Sequence, residues 1–224
     1  MKITITKNGP YLVTGGVPLK EMIITKVGKH YEFKEGRTFP LEDEYALCRC
    51  GQSKTAPFCD GSHETFDFDG TETANMAPYL KRIEDVVEGK DIILVDDGRC
   101  AFARFCHREG GDVWSLTHDD QKSNNKDEAI IAAHECPAGR LTMFDKDGHN
   151  LDTPNKPEII IMQDPEQECS AGLFVKGPIT LESADGKTYE IRNRVTLCRC
   201  GHSSNMPFCD ATHVSCEFND HIDG

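Results

Sequence analysis

Residues 47–63 read LCRCGQSKTAPFCDGSH, and residues 197–213 read LCRCGHSSNMPFCDATH. The two stretches share 11 of 17 positions at a constant offset of 150. Cys48, Cys50, Cys59 and His63 of the first fall on Cys198, Cys200, Cys209 and His213 of the second. The spacing C-x-C-x8-C-x3-H gathers three thiolates and one imidazole within 16 residues. Such a donor set can hold a tetrahedral metal or a small iron–sulfur cluster. Pro57 and Pro207 stiffen the chain before the third cysteine. Asp60 and Asp210 follow it, where an aspartate can hold the first amides of a short helix and set the histidine one turn on. A helix start there also favours an anionic thiolate cluster. Zinc is the competing occupant, because Cys3His is a structural zinc set. Zinc knuckles separate their paired cysteines by two to four residues, however, and here only Arg49 or Arg199 intervenes.

Working outward, Gly15, Val17 and Leu19 correspond to Gly177, Ile179 and Leu181 at an offset of 162. The first copy therefore carries about 12 more residues before its cysteines, expected as a longer hairpin. Self-similarity of this kind indicates duplicated modules. VTGGVPL (13–19), EMIITKV (21–27) and KHYEF (29–33) have the alternation and turn glycines of short strands. LFVKGPITL (173–181), SADGKTYEIRN (183–193) and RVTL (194–197) repeat this, with Asp185-Gly186 marking a hairpin turn. The expected organisation is a β-rich module over 1–75, a unit of different texture over 78–150 and a second module over 158–224. DKDGHNLDTPNKP (145–157) reads as a polar linker, and its Asp145-Lys-Asp147-Gly148 start as a β-turn.

Composition narrows the function. The chain has 224 residues, 38% of them hydrophobic, which is thin material for one large apolar core. Its net charge of −13 opposes phosphate backbones and anionic lipid, so neither nucleic acid nor a membrane is expected as a partner. No stretch approaches the roughly 20 apolar residues of a transmembrane helix, and MKITITKNGP has no signal-peptide core. The expected compartment is cytoplasmic. Eleven cysteines in a reducing compartment point to metal rather than disulfides. No Ser–His–Asp set or phosphate-cradling glycine loop is legible, so the expectation is a carrier rather than an enzyme.

Both cassettes resemble the CDGSH iron–sulfur domain family, with its pattern C-x-C-x2-S-x3-P-x-C-D-G-S-H. The first copy matches at every position through Ser53, Pro57 and Cys59-Asp60-Gly61-Ser62-His63. The second replaces Gly61 and Ser62 by Ala211 and Thr212 and keeps all four ligand types. The resemblance implies a [2Fe–2S] cluster in each copy. Cys48 and Cys50 would hold one iron and Cys59 with His63 the other, as would Cys198 and Cys200, then Cys209 and His213. It also implies β-rich modules paired around two clusters, here as an intramolecular pseudo-dimer or a homodimer. A neutral imidazole in place of a thiolate makes each cluster less negative and easier to reduce.

Between the modules, Cys100-Ala-Phe-Ala103-Arg-Phe-Cys106 reads as a ferredoxin run, C-x2-C-x2-C, with alanine for the second cysteine. Cys136-Pro137 supplies the later Cys-Pro ligand. Three thiolates suit a [3Fe–4S] cluster, or a [4Fe–4S] cluster with a non-cysteine fourth ligand, for which His107 is the nearest candidate. EAIIAAHECPAG reads as a helix feeding Cys136, with Ala129, Ala133 and the isoleucines inward and His134 as a surface or packing residue. Trp114 is expected to pack within this unit. The stretch resembles the divergent single-cluster ferredoxin domain found beside CDGSH domains, carried by Cys100-x5-Cys106 and CPAGRL. Cys169 and Cys216 remain, Cys169 before the second module's first strand and Cys216 as a packed strand residue.

The expectation is an electron-transfer protein with two [2Fe–2S] clusters and one [3Fe–4S] or [4Fe–4S] cluster, docking through its acidic surface to a basic reductase or oxidase. The alternatives are a protein that passes clusters to apo-acceptors or senses redox state and pH, and a zinc-stabilised interaction module.

Overall fold

The computed structural model describes residues 1–122 and 124–220. The first copy supplies β1 (Lys2–Ile5), β2 (Tyr11–Thr14), β3 (Leu19–Val27), β4 (His30–Thr38) and β5 (Glu44–Leu47). The middle unit contains β6 (Asp85–Glu88), β7 (Ile92–Asp96), β8 (His107–Arg108), β9 (Gly111–Asp112), α1 (Val113–His118), α2 (Asn125–Glu135) and β10 (Leu141–Asp145). The second copy adds β11 (Glu158–Asp164), β12 (Cys169–Lys176), β13 (Thr180–Glu182), β14 (Arg194–Leu197) and α3 (Thr212–Ser215). Among the described residues no helix is long and apolar enough to cross a membrane.

The two copies exchange strands. One sheet has the order β13-β1-β2-β5 and the other β14-β12-β11-β3-β4. Thus β13 of the second copy pairs parallel to β1 of the first, through Lys2 with Thr180 and Ile3 with Leu181. Reciprocally, β3 pairs parallel to β11, through Leu19 with Ile159. Ile3, Tyr11 and Val13 from one sheet and Ile159, Ile161, Leu173 and Val175 from the other form a shared buried core. A core built jointly meets the shortage of apolar residues, since neither copy could enclose one alone.

The extra residues of the first copy are the β3–β4 hairpin, two nine-residue strands joined at Gly28 and Lys29. It extends the second copy's sheet and reaches the middle unit, where Phe33 and Phe105 rings lie 4.5 Å apart. This explains the unbroken run Ile159–Met162. Its alternate residues face the shared core or, with Phe174, Ala103 and Phe105, a second cluster under the middle unit. The middle unit packs α1 and α2 on β10-β7-β6 through Ile92, Leu94, Val113, Leu116, Ala129, Ala132 and Leu141.

Three expectations need correction. Residues 145–157 are a structured tie rather than a loose linker: Leu151 packs on the middle core, and Asp152 pairs with Arg194 at 2.9 Å. On α2 the inward face belongs to Ala129, Ala132 and Ala133, with Ile130 half-buried against the same core, while Ile131 is exposed. Cys216 is an exposed residue closing α3, not a packed strand residue, and Cys169 begins β12 rather than preceding it. The Asp145–Gly148 segment is the expected turn, closed by the Gly148 amide donating to Asp145 O at 3.2 Å.

Candidate metal centres

Each cassette is a loop clamped at its neck. In the first, the Cys48 amide donates to Pro57 O at 2.8 Å and the Cys59 amide to Ala46 O at 2.9 Å. In the second, Cys198 to Pro207 O and Cys209 to Thr196 O repeat the same two distances. Ser53 Oγ donates to Phe58 O at 2.6 Å, and Ser203 Oγ to Phe208 O at 2.7 Å. Asp60 accepts from the Ser62 and Lys54 amides at 2.9 and 2.8 Å, and Asp210 from Thr212 and Ser204 at 3.1 and 2.8 Å. The aspartates thus hold the first amide of the helical turn, as expected. They also tie it across the loop, which the sequence did not announce.

The donors come together in close pairs. Cys48 and Cys50 Sγ are 3.7 Å apart, and Cys59 Sγ lies 3.4 Å from His63 Nδ1. In the second copy the distances are 3.5 and 3.4 Å. Two ligands of one tetrahedral metal lie roughly 3.4–3.8 Å apart when the metal–ligand bonds are near 2.0–2.3 Å. All 11 cysteines are free thiols. The residues present therefore fit a metal pair held by two donors at each end. The Cys50 and Cys200 thiols, with nearby backbone amides, hold Cys48 and Cys198 below the usual thiol range. Those amides stabilise negative charge on sulfur, as a cluster requires.

The copies are not equivalent. Cys59 and His63 are half-buried, whereas Cys209 and His213 are buried. Burial pushes the His213 imidazole down to about 4, which keeps it in the neutral form that ligates metal. Gly61 has φ 85° and its counterpart Ala211 has φ 72°. A Cβ at Gly61 would meet nothing within 4 Å, so alanine fits sterically but bears left-handed strain. Ala211→Gly should stabilise the second loop by about 1 kcal/mol, seen as a later urea midpoint. Gly61→Ala should do the reverse.

In the middle unit, Cys100, Cys106 and Cys136 line one cleft together with Trp114 and Arg140. Phe102 and Arg104 take φ 58° and 67° to turn the run inward, and Cys136 follows directly on α2. Arg194 caps α2 by donating to Cys136 O at 3.1 Å and to the Ala133 and His134 carbonyls, so the second copy holds the third cysteine in place. Burial pushes the Cys106 thiol up to about 12, helped by the neighbouring Cys136 and Cys100. His107 is exposed and does not line the cleft, so the structure does not bring it in as a fourth ligand.

The arginines were missed by the sequence reading. Arg49 and Arg199 are both buried. Arg49 donates to Gly9 O at 2.8 Å and Thr6 O at 3.0 Å, and Arg199 to Ala171 O at 2.6 Å and to Asp220. A signal existed: arginine immediately precedes Cys50, Cys100 and Cys200.

The copies meet at the centres. Cys50 and Cys200 form an antiparallel bridge, and Tyr11 of the first copy donates to Cys198 O at 2.7 Å. Cys209 in turn shares a cleft with Cys100 of the middle unit.

The family described as iron-binding zinc finger CDGSH type matches residues 8–64 and again 171–214. The family described as divergent 4Fe-4S mono-cluster matches residues 87–146. No curated protein and no solved structure matches the chain significantly. The chain is an iron–sulfur protein in which two CDGSH-type domains flank a divergent 4Fe-4S mono-cluster domain.

Proposed function

We propose that the chain carries electrons along three centres in series, from the middle unit through the second copy to the first. The observation that carries this is the cleft shared by Cys100 and Cys209, joined to the bridge between Cys50 and Cys200. Bound clusters supply one-electron chemistry. Cys48, Cys50, Cys59 and His63 hold one [2Fe–2S] group, Cys198, Cys200, Cys209 and His213 another, and Cys100, Cys106 and Cys136 a [3Fe–4S] or [4Fe–4S] group. The protein's part is to hold these ligands and keep water from the second-copy site, whose four donors are buried. The reading includes no catalytic step. The partner is a redox protein with a basic face, matched to the net charge of −13.

Anaerobically purified protein should contain about eight acid-labile sulfides and seven or eight irons per chain. Its reduced spectrum should show magnetic interaction between the middle and second-copy centres. Four irons with four sulfides would remove the middle centre, and zinc without sulfide would overturn the proposal. Cluster donation to apo-proteins is the second reading, favoured by the partial exposure of Cys59 and His63. It requires transfer from the first copy to an apo-ferredoxin faster than decay in buffer.

A further inference from the structure

The three arginines that precede a cysteine are placed differently. Arg49 donates to two carbonyls and Arg199 faces Asp220. Arg99 instead lines the cleft between Cys100 and Cys209. Its Nε donates to Asp97 at 2.9 Å. Its guanidinium carbon lies 4.4 Å from the centre of the Phe208 ring, the residue before Cys209. Its Nη2 is buried and has no hydrogen-bond partner.

Carboxylates as well as guanidinium groups surround it, Glu84 in the same cleft and Glu190 in the adjoining wall among them, but among the described residues only Asp97 accepts from its side chain. Asp97 also accepts from Arg82 at 2.5 Å, so one carboxylate serves two guanidinium groups. Arg192 lies in the adjoining wall with Arg82 and Arg99. Asp210 lines the cleft, but its oxygens are taken by the Ser204 and Thr212 amides. Burial holds the Arg99 guanidinium below its usual range despite Asp97. A cation whose buried Nη2 has no acceptor is costly unless an anion completes it.

We propose that Arg99 is the positioning residue of the junction between two centres, acting as shared hydrogen-bond donor and counter-charge to the groups held by Cys100 and by Cys209. It thereby raises the reduction potential of both. The inference rests on the three-centre reading above. One electron leaves one centre and enters the other, no bond forms or breaks, and Arg99 stays protonated throughout.

The test is an EPR-monitored redox titration of the full-length holoprotein as wild type, Arg99→Gln and Arg99→Lys. Arg99→Gln should lower the reduction equilibrium constant of the middle and second-copy centres about ten-fold each. The first-copy centre should stay within about two-fold and serves as the internal reference. Arg99→Lys keeps the charge and should recover most of the loss. If Arg99→Gln does not fold, Asp97→Asn takes its place; removing the competing carboxylate should shift the same two centres toward easier reduction. Wild-type signals that neither variant moves, or a shift of all three centres together, would overturn the inference while leaving the three-centre reading intact. A wild type lacking the middle or second-copy signal would overturn both.

Discussion

Arg199→Ala should empty the second centre and leave the first occupied. The side chain is 3% exposed and ties together most of what surrounds the second loop. It donates to Ala171 O on β12 at 2.6 Å and Met162 O on β11 at 3.0 Å, pairs with Asp220, and lies 5.2 Å from the Phe218 ring centre. Removing it strands Asp220, which keeps only Ser170 Oγ at 2.5 Å and Gln163 Nε2 at 3.1 Å. Breaking a buried ion pair from one side costs about 3–5 kcal/mol, a large share of the roughly 5–15 kcal/mol available to a folded domain. Arg49→Ala is the internal comparison. Arg49 bonds two carbonyls and stacks between the Tyr11 and Phe68 rings, 5.7 and 5.4 Å away, with no buried carboxylate left behind. Its loss should cost about 1–3 kcal/mol. Urea midpoints with iron per chain measure both; equal losses, or an unmoved midpoint for Arg199→Ala, would contradict the argument.

Gly51→Ala and Gly201→Ala should each release both CDGSH-type centres while the middle one persists. Gly51 has φ 76°, and a Cβ built on it would lie 2.5 Å from Cys200 O. Gly201 has φ 81°, and its Cβ would lie 2.4 Å from Cys50 O. Each obstacle is the backbone of a ligand residue in the other copy, which cannot swing aside as a side chain would. Left-handed strain alone is about 1–2 kcal/mol, and forcing two backbones apart adds overpacking of about 1–3 kcal/mol. Because the contact is mutual, damage in one loop passes to the other. Sulfide counts and visible spectra would distinguish this from one-sided loss, and loss confined to the mutated copy would refute it.

The ligands were legible because they are local: sixteen residues hold all four donors, and the spacing survives in both copies. Strands such as β3 and β14 were legible for the same reason, but SADGKTYEIRN (183–193), read as strand, is a turn and irregular chain with one isolated bridge at Thr188. The exchange of β3 and β13 was not legible, since a parallel pair between Lys2 and Thr180 leaves no mark in any short window. The longer first hairpin could be read as length but not as destination, and its destination is the other copy's sheet. His107 fell outside the cleft because it begins β8 directly after Cys106, and successive residues of extended chain face opposite ways. Arg194 was hidden inside RVTL, a segment read as a plain strand, although its guanidinium caps a helix about 60 residues earlier.

The reciprocal pairing of β1 with β13 and of β3 with β11 has a consequence for synthesis. A chain emerging from a ribosome ordinarily folds its leading domain first. Here the leading strand lacks its parallel neighbour until Thr180–Glu182 is translated, and the first loop lacks its facing backbone until Cys200 is out. Assembly machinery that delivers iron and sulfide meets a complete first site only when the last copy is made. The middle unit closes its sheet β10-β7-β6 within its own residues, yet its third cysteine also waits for the second copy, whose Arg194 caps α2. All three centres are thereby completed only as the second copy is made.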